Sequence, residues 1–456
     1  DLHSFPTRRS SDLVLMEGSS PYTPARLDTL ALSEGDTILS EKTIAVYDPE
    51  GAHASRSELA AHLEGLSLVA SPETLAMREL LHQRLAELAL AGAMVDQVTG
   101  EVDRGDNIRE LEAEIYSHYD SALFKGALHK KIELLEETLV PEDLETAKAA
   151  LLDELEQYVN MVQTEGEEIV LEQPSEKTLI AVGEWLDDQF GDIFDEIDVI
   201  EGDELDADKL VEIFNLAIET TPDLRDNGWK AKVIERAKSA VSVMASSRET
   251  VVPSQRQFSK AVAKNLLVHE VFGHALRSGV AESSGNEVGT IGTATYGEFE
   301  ESFEIALEQC LNRKYDPKRG IDHYVSIGLV ESLGFSQDKV AQLTQSMRQI
   351  TLAGDKLTPD KVAQSEQMTE RQIRRTFAGM TDVDPGIAHR KDINYLHGLN
   401  GAWKLLNAIV EADQVDEGMR WLLSAKFNPF NPVDRELINK RVLMPSAIKS
   451  VVEGVQ

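Results

Sequence analysis

The run His269-Glu270-Val271-Phe272-Gly273-His274 sets two histidines five residues apart inside a stretch that otherwise reads as one helix. That helix opens at Ser259, whose hydroxyl suits an N-cap, and continues through Ala261, Val262, Leu266 and Leu267. On a regular helix, positions i and i+4 lie about 40° apart around the axis, whereas i and i+5 lie about 140° apart. Rings so placed would point away from each other. A single π-type turn would return both to one face, and Gly273 is where a distorted backbone meets least steric resistance. The spacing therefore predicts a π-bulge or a helix break at Phe272-Gly273.

The reason to expect convergence is chemical. Two imidazoles and a carboxylate on one helix suit zinc, with His269 and His274 as ligands and Glu270 left free as general base on metal-activated water. The usual form of this motif, H-E-x-x-H, is one residue shorter. Taken alone, the run could equally be two unrelated histidines bracketing a helix-favouring glutamate. A two-histidine site needs a third ligand, often a glutamate on a following helix. Tyr296 to Cys310 reads as such a helix and bears Glu298, Glu300, Glu301, Glu304 and Glu308, at most one of them a ligand and most of them solvent-facing. Gly285, Gly289, Gly292 and Gly297 supply the connecting loop. His118, His129 and His323 lack ligand spacing and read as structural or exposed.

Charge narrows the partners. With 80 Asp+Glu against 45 Lys+Arg, the net charge is −35, which argues against a nucleic-acid binder and a polybasic membrane anchor. The longest clean apolar run, Leu88 to Val95, falls far short of the roughly 20 residues of a membrane span. A single cysteine, Cys310, excludes an internal disulfide and a cysteine-rich zinc cluster, and fits a reducing, cytoplasmic setting. Asp1 to Leu13 has no periodicity and reads as a non-native scar, so that a natural targeting segment could be missing.

Along the chain, residues 14 to about 55 mix short β-like pieces such as Thr43 to Tyr47 with the turn Asp48-Pro49-Glu50-Gly51. Ser55 to about Thr221 is mostly helical, with Leu81, Leu85, Leu88 and the pair Leu111, Ile115 at helical spacing. Between Glu184 and Asp208 lie twelve acidic residues and no Lys or Arg; the run lacks calcium-loop spacing and reads as a solvated helix face. Lys232 to Ile234, Ala240 to Met244 and Thr250 to Val252 are β-branched pieces that read as a small antiparallel sheet. The expected fold class is α+β and predominantly helical, with a helical region over 14–225 and the metal-bearing unit over 226–456.

These blocks resemble the H-E-x-x-x-H metallopeptidases related to the microtubule-associated tyrosine carboxypeptidases, whose bacterial members carry a QEGLA motif. His269 to Ser278 (HEVFGHALRS) matches the family pattern, and QEGLA falls on Glu300-Glu301-Ser302-Phe303-Glu304. Arg371 to Thr376 with Arg390 to Gly398 looks like the family's basic segment and its T-K-D-x-x-Y-x-x-G stretch, and Leu422 to Asn428 like a later block. The likeness spans roughly 229 to 440. It implies a zincin-like, gluzincin-type core, a zinc cofactor held by His269, His274 and Glu301, Glu270 as catalytic base, and removal of a C-terminal tyrosine or phenylalanine from a peptide or protein. Ser302 and Glu304 depart from the motif's Gly and Ala, which leaves Glu304, one turn from Glu301, as a rival ligand.

A carboxypeptidase must hold a free carboxylate. In so acidic a chain the cluster Arg371, Arg374, Arg375, Arg390 and Lys391 stands out, and Arg375 and Lys391 are the expected substrate-binding residues. The competing account is charge compensation of Asp382, Asp384 and Asp392. Tyr395 and His397, beside that segment, are the candidates for stabilising the oxyanion. Other functions open to the same scaffold are a zinc endopeptidase or aminopeptidase, or a non-catalytic regulatory protein that keeps the metal.

Overall fold

The computed structural model describes residues 57, 60–61, 71–99, 105–116, 119–164, 169–235, 240–378, 380 and 386–454. The expected scar at 1–13, the β-like pieces at 43–51, His118, Asp382 and Asp384 lie outside them. Helices dominate, accompanied by five short strands in two small sheets. The strands are β1 (Glu204–Leu205), β2 (Lys230–Ile234), β3 (Ser242–Met244), β4 (Glu249–Pro253) and β5 (Phe258–Ser259). None of the described helices is long and apolar enough to cross a membrane.

The three-stranded sheet departs from the antiparallel expectation. β4 is central; β3 pairs with it antiparallel, but β2 pairs with it parallel, from Lys230 opposite Glu249 to Ile234 opposite Pro253. Parallel neighbours need a crossover rather than a hairpin, and short β-branched pieces look alike in either sense. Burial explains why β4 is central, since all five of its residues are buried.

Helical periodicity is expressed as inward-facing stripes. In Pro72–Thr99, Leu81 and Leu88 are buried, and in Gly105–Ile115 so is Ile115. In Glu176–Asp198 the buried stripe is Val182, Leu186, Ile193, Phe194 and Ile197, while all twelve acidic residues from Glu184 to Asp208 are exposed. The acidic run is thus a solvated face.

The largest core is built between Lys260–Ser283, Glu300–Leu311 and Ile393–Glu411, with Phe272, Phe303 and Trp403 among its fully buried side chains. A second core joins Ser121–Glu136 and Glu142–Met161 to Ile321–Glu331 and Gln337–Ala353. Both draw on residues from either side of position 225. The two helices that carry the histidines and the glutamates therefore meet inside this largest core, where a side chain's direction is held by its neighbours.

Candidate metal centre

Ser259 caps the histidine helix, its Oγ accepting from the Val262 amide at 3.3 Å. The α-helix runs from Lys260 to Leu266, a π-helical segment follows over Leu267–Ala275, and α-geometry resumes at Leu276–Ser283. The π segment spans the whole motif, and it brings the two imidazoles edge to face with ring centroids 4.9 Å apart. Buried Val268, Val271, Phe272 and Ala275 anchor it in the main core, which offsets the poorer hydrogen-bond geometry of a π turn.

Gly273 is needed for a different reason from the one its backbone freedom suggests. A Cβ there would lie 2.4 Å from Glu304 Cγ. The glycine thus allows the glutamate helix to approach the histidine helix closely.

That approach sets which carboxylate meets the two rings. Glu301 Oε1 lies 3.5 Å from His274 Nε2, and Glu301 Oε2 lies 3.8 Å from His269 Nε2. A tetrahedral zinc with ligands at about 2.1 Å sets its ligand atoms about 3.4 Å apart. His269, His274 and Glu301 therefore form a group that could hold a metal ion. The Glu301 side chain is 44% exposed, so this group opens to solvent on the glutamate's side.

The other nitrogen of each ring faces a carboxylate. His269 Nδ1 and Glu308 Oε1 are hydrogen bonded at 2.6 Å. His274 Nδ1 faces Glu300 Oε1 at 3.1 Å, an ion-pair contact rather than an aligned hydrogen bond. Carboxylates at Nδ1 orient an imidazole and leave Nε2 as the ligand atom. Glu300, Glu304 and Glu308, at i, i+4 and i+8, make one stripe on their helix. The expectation that most of these glutamates face solvent is therefore corrected: Glu300 and Glu304 are buried, and the Glu308 side chain is 17% exposed.

Glu304, the rival ligand, belongs to a different arrangement. Its Oε1 lies 4.0 Å from His274 Nδ1 and 3.4 Å from Arg277 Nη1. Arg277 is fully buried and donates to the carbonyls of Ala425 and Phe427 at 2.8 and 3.2 Å. Lys426 Nζ lies 3.4 Å from Glu300 Oε1. His274, Glu300 and Glu304 could in principle hold an ion as well, but Arg277 and Lys426 already balance the two carboxylates. The sequence reading did not single out Glu300, Glu308, Arg277 or Lys426 as supporting groups. Their detectable trace was the fourfold glutamate spacing and the cation three residues beyond His274.

Electrostatics follow from this packing. Burial alone would lower both histidines, yet the facing carboxylates raise His269 to about 10 and His274 to about 9. Burial lifts Glu270 to about 7 against the pull of the two histidines. Burial also favours neutral Glu300, but Lys426 and His274 hold its carboxyl far below the usual range. Glu304 is pushed up by burial in spite of His274 and Arg277.

The remaining predicted residues divide. Arg375, on Pro359–Thr376, is committed to Asp392 through two bonds of 2.7 Å rather than open to a ligand. Arg390 is likewise paired with Glu331, and Arg374 with Glu370. Lys391 is half-buried and makes no ion pair among the described residues. Tyr395 sits at the start of Ile393–Glu411, where its carbonyl accepts from Ser302 Oγ at 2.9 Å, one residue from Glu301. Burial, with the charges of Glu301 and Asp392, raises its phenol. His397 follows two residues later, is exposed, and belongs to neither group of possible metal ligands. A groove of about 700 Å³, lined by Asp187, Asp198, Lys260, Lys264 and Arg313 among others, shares no residue with the metal group. Its Lys264 and Arg313 are paired with Asp198 and Asp187. Compared with known proteins, the chain matches no family model, no curated protein and no solved structure.

Proposed function

We propose that this chain is a zinc-dependent peptide hydrolase with a zincin-like core, a metallocarboxypeptidase that removes a C-terminal tyrosine or phenylalanine. The observation that carries the reading is the convergence of His269 Nε2, His274 Nε2 and the Glu301 carboxylate, with a second carboxylate at Nδ1 of each ring. Two imidazole nitrogens and one carboxylate oxygen, all within 4.8 Å of one another, suit zinc. When bound by such a set, zinc supplies Lewis acidity toward water and toward a peptide carbonyl.

The chain's own groups do the rest. Glu270 accepts a proton from the attacking water at its carboxylate and returns it to the leaving amine, and a carboxyl lifted to about 7 suits transfer in both directions. Glu308 and Glu300 hold the imidazoles with Nε2 directed toward Glu301. The Tyr395 hydroxyl donates to the carbonyl oxygen as negative charge develops there. Lys391 receives the C-terminal carboxylate.

The engagement of Arg375 by Asp392 leaves one cation fewer for that carboxylate and favours a second reading, an endopeptidase or aminopeptidase on the same scaffold. Zinc-loaded protein assayed on peptides ending in Tyr or Phe, with free and with amidated C-termini, separates the two. Cleavage of the free forms alone is expected. Equal cleavage of both would sink the carboxypeptidase assignment, and failure to retain zinc would sink the peptidase reading as a whole.

A further inference from the structure

Asp392 is a buried carboxylate that holds two groups at once. Arg375 engages it through both Nε and Nη2, and His323 Nδ1 lies 3.3 Å from its Oδ2. Both held groups meet the same aromatic ring. His323 stacks on Tyr395 with ring centroids 5.8 Å apart and planes inclined by 28°, and the Arg375 guanidinium carbon lies over that ring at 5.9 Å.

The backbone beneath is equally constrained. Ser302 Oγ donates to the carbonyls of Asn394 and Tyr395 at 3.1 and 2.9 Å, which fixes this turn to the residue after Glu301. Gly320, at the N-cap of the helix that carries His323, packs so closely that a Cβ would lie 2.9 Å from the Leu396 amide. Gln372 Nε2 lies 3.2 Å from the same ring nitrogen and also reaches the Asp322 carbonyl and Ser326 Oγ, so Nδ1 is held between Gln372 and Asp392. His323 is thus half-buried and packed into this cluster, and it belongs to neither group of possible metal ligands.

We infer that Asp392 and His323 are positioning residues: with Arg375 they clamp the Tyr395 ring beside Glu301, so that its hydroxyl meets the carbonyl oxygen of the bound peptide. This rests on the hydrolase reading and deepens it. A flexible phenol must be ordered each time charge develops on that oxygen, whereas a clamped one is ordered in advance.

The test is a double-mutant cycle on the zinc-loaded protein, with Tyr395→Phe, His323→Ala and the pair, and with Asp392→Asn as the conservative variant of the anchor. Peptide hydrolysis and calorimetric binding of acetohydroxamate, a probe whose oxygens seek the same site, are both measured, with zinc content and melting temperature as controls. His323→Ala is expected to lower kcat about 10-fold to 100-fold with KM little changed, and to weaken hydroxamate binding about 10-fold. In the Tyr395→Phe background it should have no further effect, because non-additivity marks residues that act through one group. A merely structural role would give losses that multiply or that track the melting temperature. Either result, or unchanged kcat and hydroxamate affinity in His323→Ala, overturns the inference while leaving the hydrolase reading intact; a wild-type chain that neither binds zinc nor hydrolyses peptide overturns both.

Discussion

Two regions of this molecule are dense in opposite charges, and they end in different states. In the candidate metal centre, each histidine spends one nitrogen on a carboxylate and keeps the other facing Glu301. In the basic segment, Arg374, Arg375 and Arg390 each meet an acid of the chain itself. The difference lies in donor geometry. An imidazole has two ring nitrogens on opposite edges, so a structural partner on one leaves the other for a ligand. A guanidinium fork matched by a bidentate carboxylate has its directed pair of donors engaged. A charge cluster in a sequence becomes a ligand site only where packing leaves a directed atom over.

That contrast can be broken at several points. The largest effect concerns pH. In metal-free protein the raised His269 and His274 hold protons up to about 10 and 9, and zinc must displace both. Zinc affinity, measured by chelator competition, should rise by up to about 100-fold per pH unit from pH 7 to 9. The sign for stability is opposite: a histidine raised on folding stabilises the metal-free protein below its unfolded value near 6.5, and loses that contribution as pH rises through the folded value. The gap in melting temperature between zinc-loaded and metal-free protein should therefore widen across pH 7 to 10; a flat gap would separate the two rings from the metal.

Next, Glu270→Gln should lower turnover by about 10²–10⁴-fold while zinc is retained. Undiminished turnover would remove Glu270 as the base. Substituting Glu301→Ala should cost more zinc affinity than the roughly 100-fold that bounds the loss of an outer partner. If Glu304→Ala is the more damaging to zinc binding, the assignment of the third ligand is reversed.

Arg375→Ala probes the other side of the comparison. A charge-compensating arginine leaves Asp392 buried and less paired, which should destabilise the fold by about 3 kcal/mol in denaturant melts. A higher KM with unchanged stability would instead make Arg375 a substrate ligand. The smallest effect is expected for Glu308→Gln, about 10-fold in zinc affinity, because the amide still bonds His269 Nδ1 without its charge. No change at all would mean that the carboxylate stripe does not support the rings.

Local spacing carried the histidine helix almost completely. The Ser259 cap, the helix after it and the need for a π-bulge or a helix break between His269 and His274 all follow from residue type and from turns per residue. The solvated acidic face at 184–208 was legible for the same reason, since apolar and acidic residues alternate with helical period. The sense of β2 was not legible, because parallel and antiparallel partners look alike in a five-residue strand. Nor was the correct role of Gly273, which depends on Glu304 from another helix, or that of His323, whose significance lies in Asp392 and Tyr395, about 70 residues away along the chain.

By itself, then, the sequence determined that two imidazoles and a glutamate lie in one short run that only a distorted or broken helix can bring onto a single face, because i to i+5 spacing admits no regular alternative there. Only the tertiary structure decided which of five nearby glutamates meets Nε2, which meet Nδ1, and which cations are already paired. Glu300, Glu301, Glu304 and Glu308 lie within about two turns of one helix, and only the close packing of that helix, which Gly273 permits, distinguishes them.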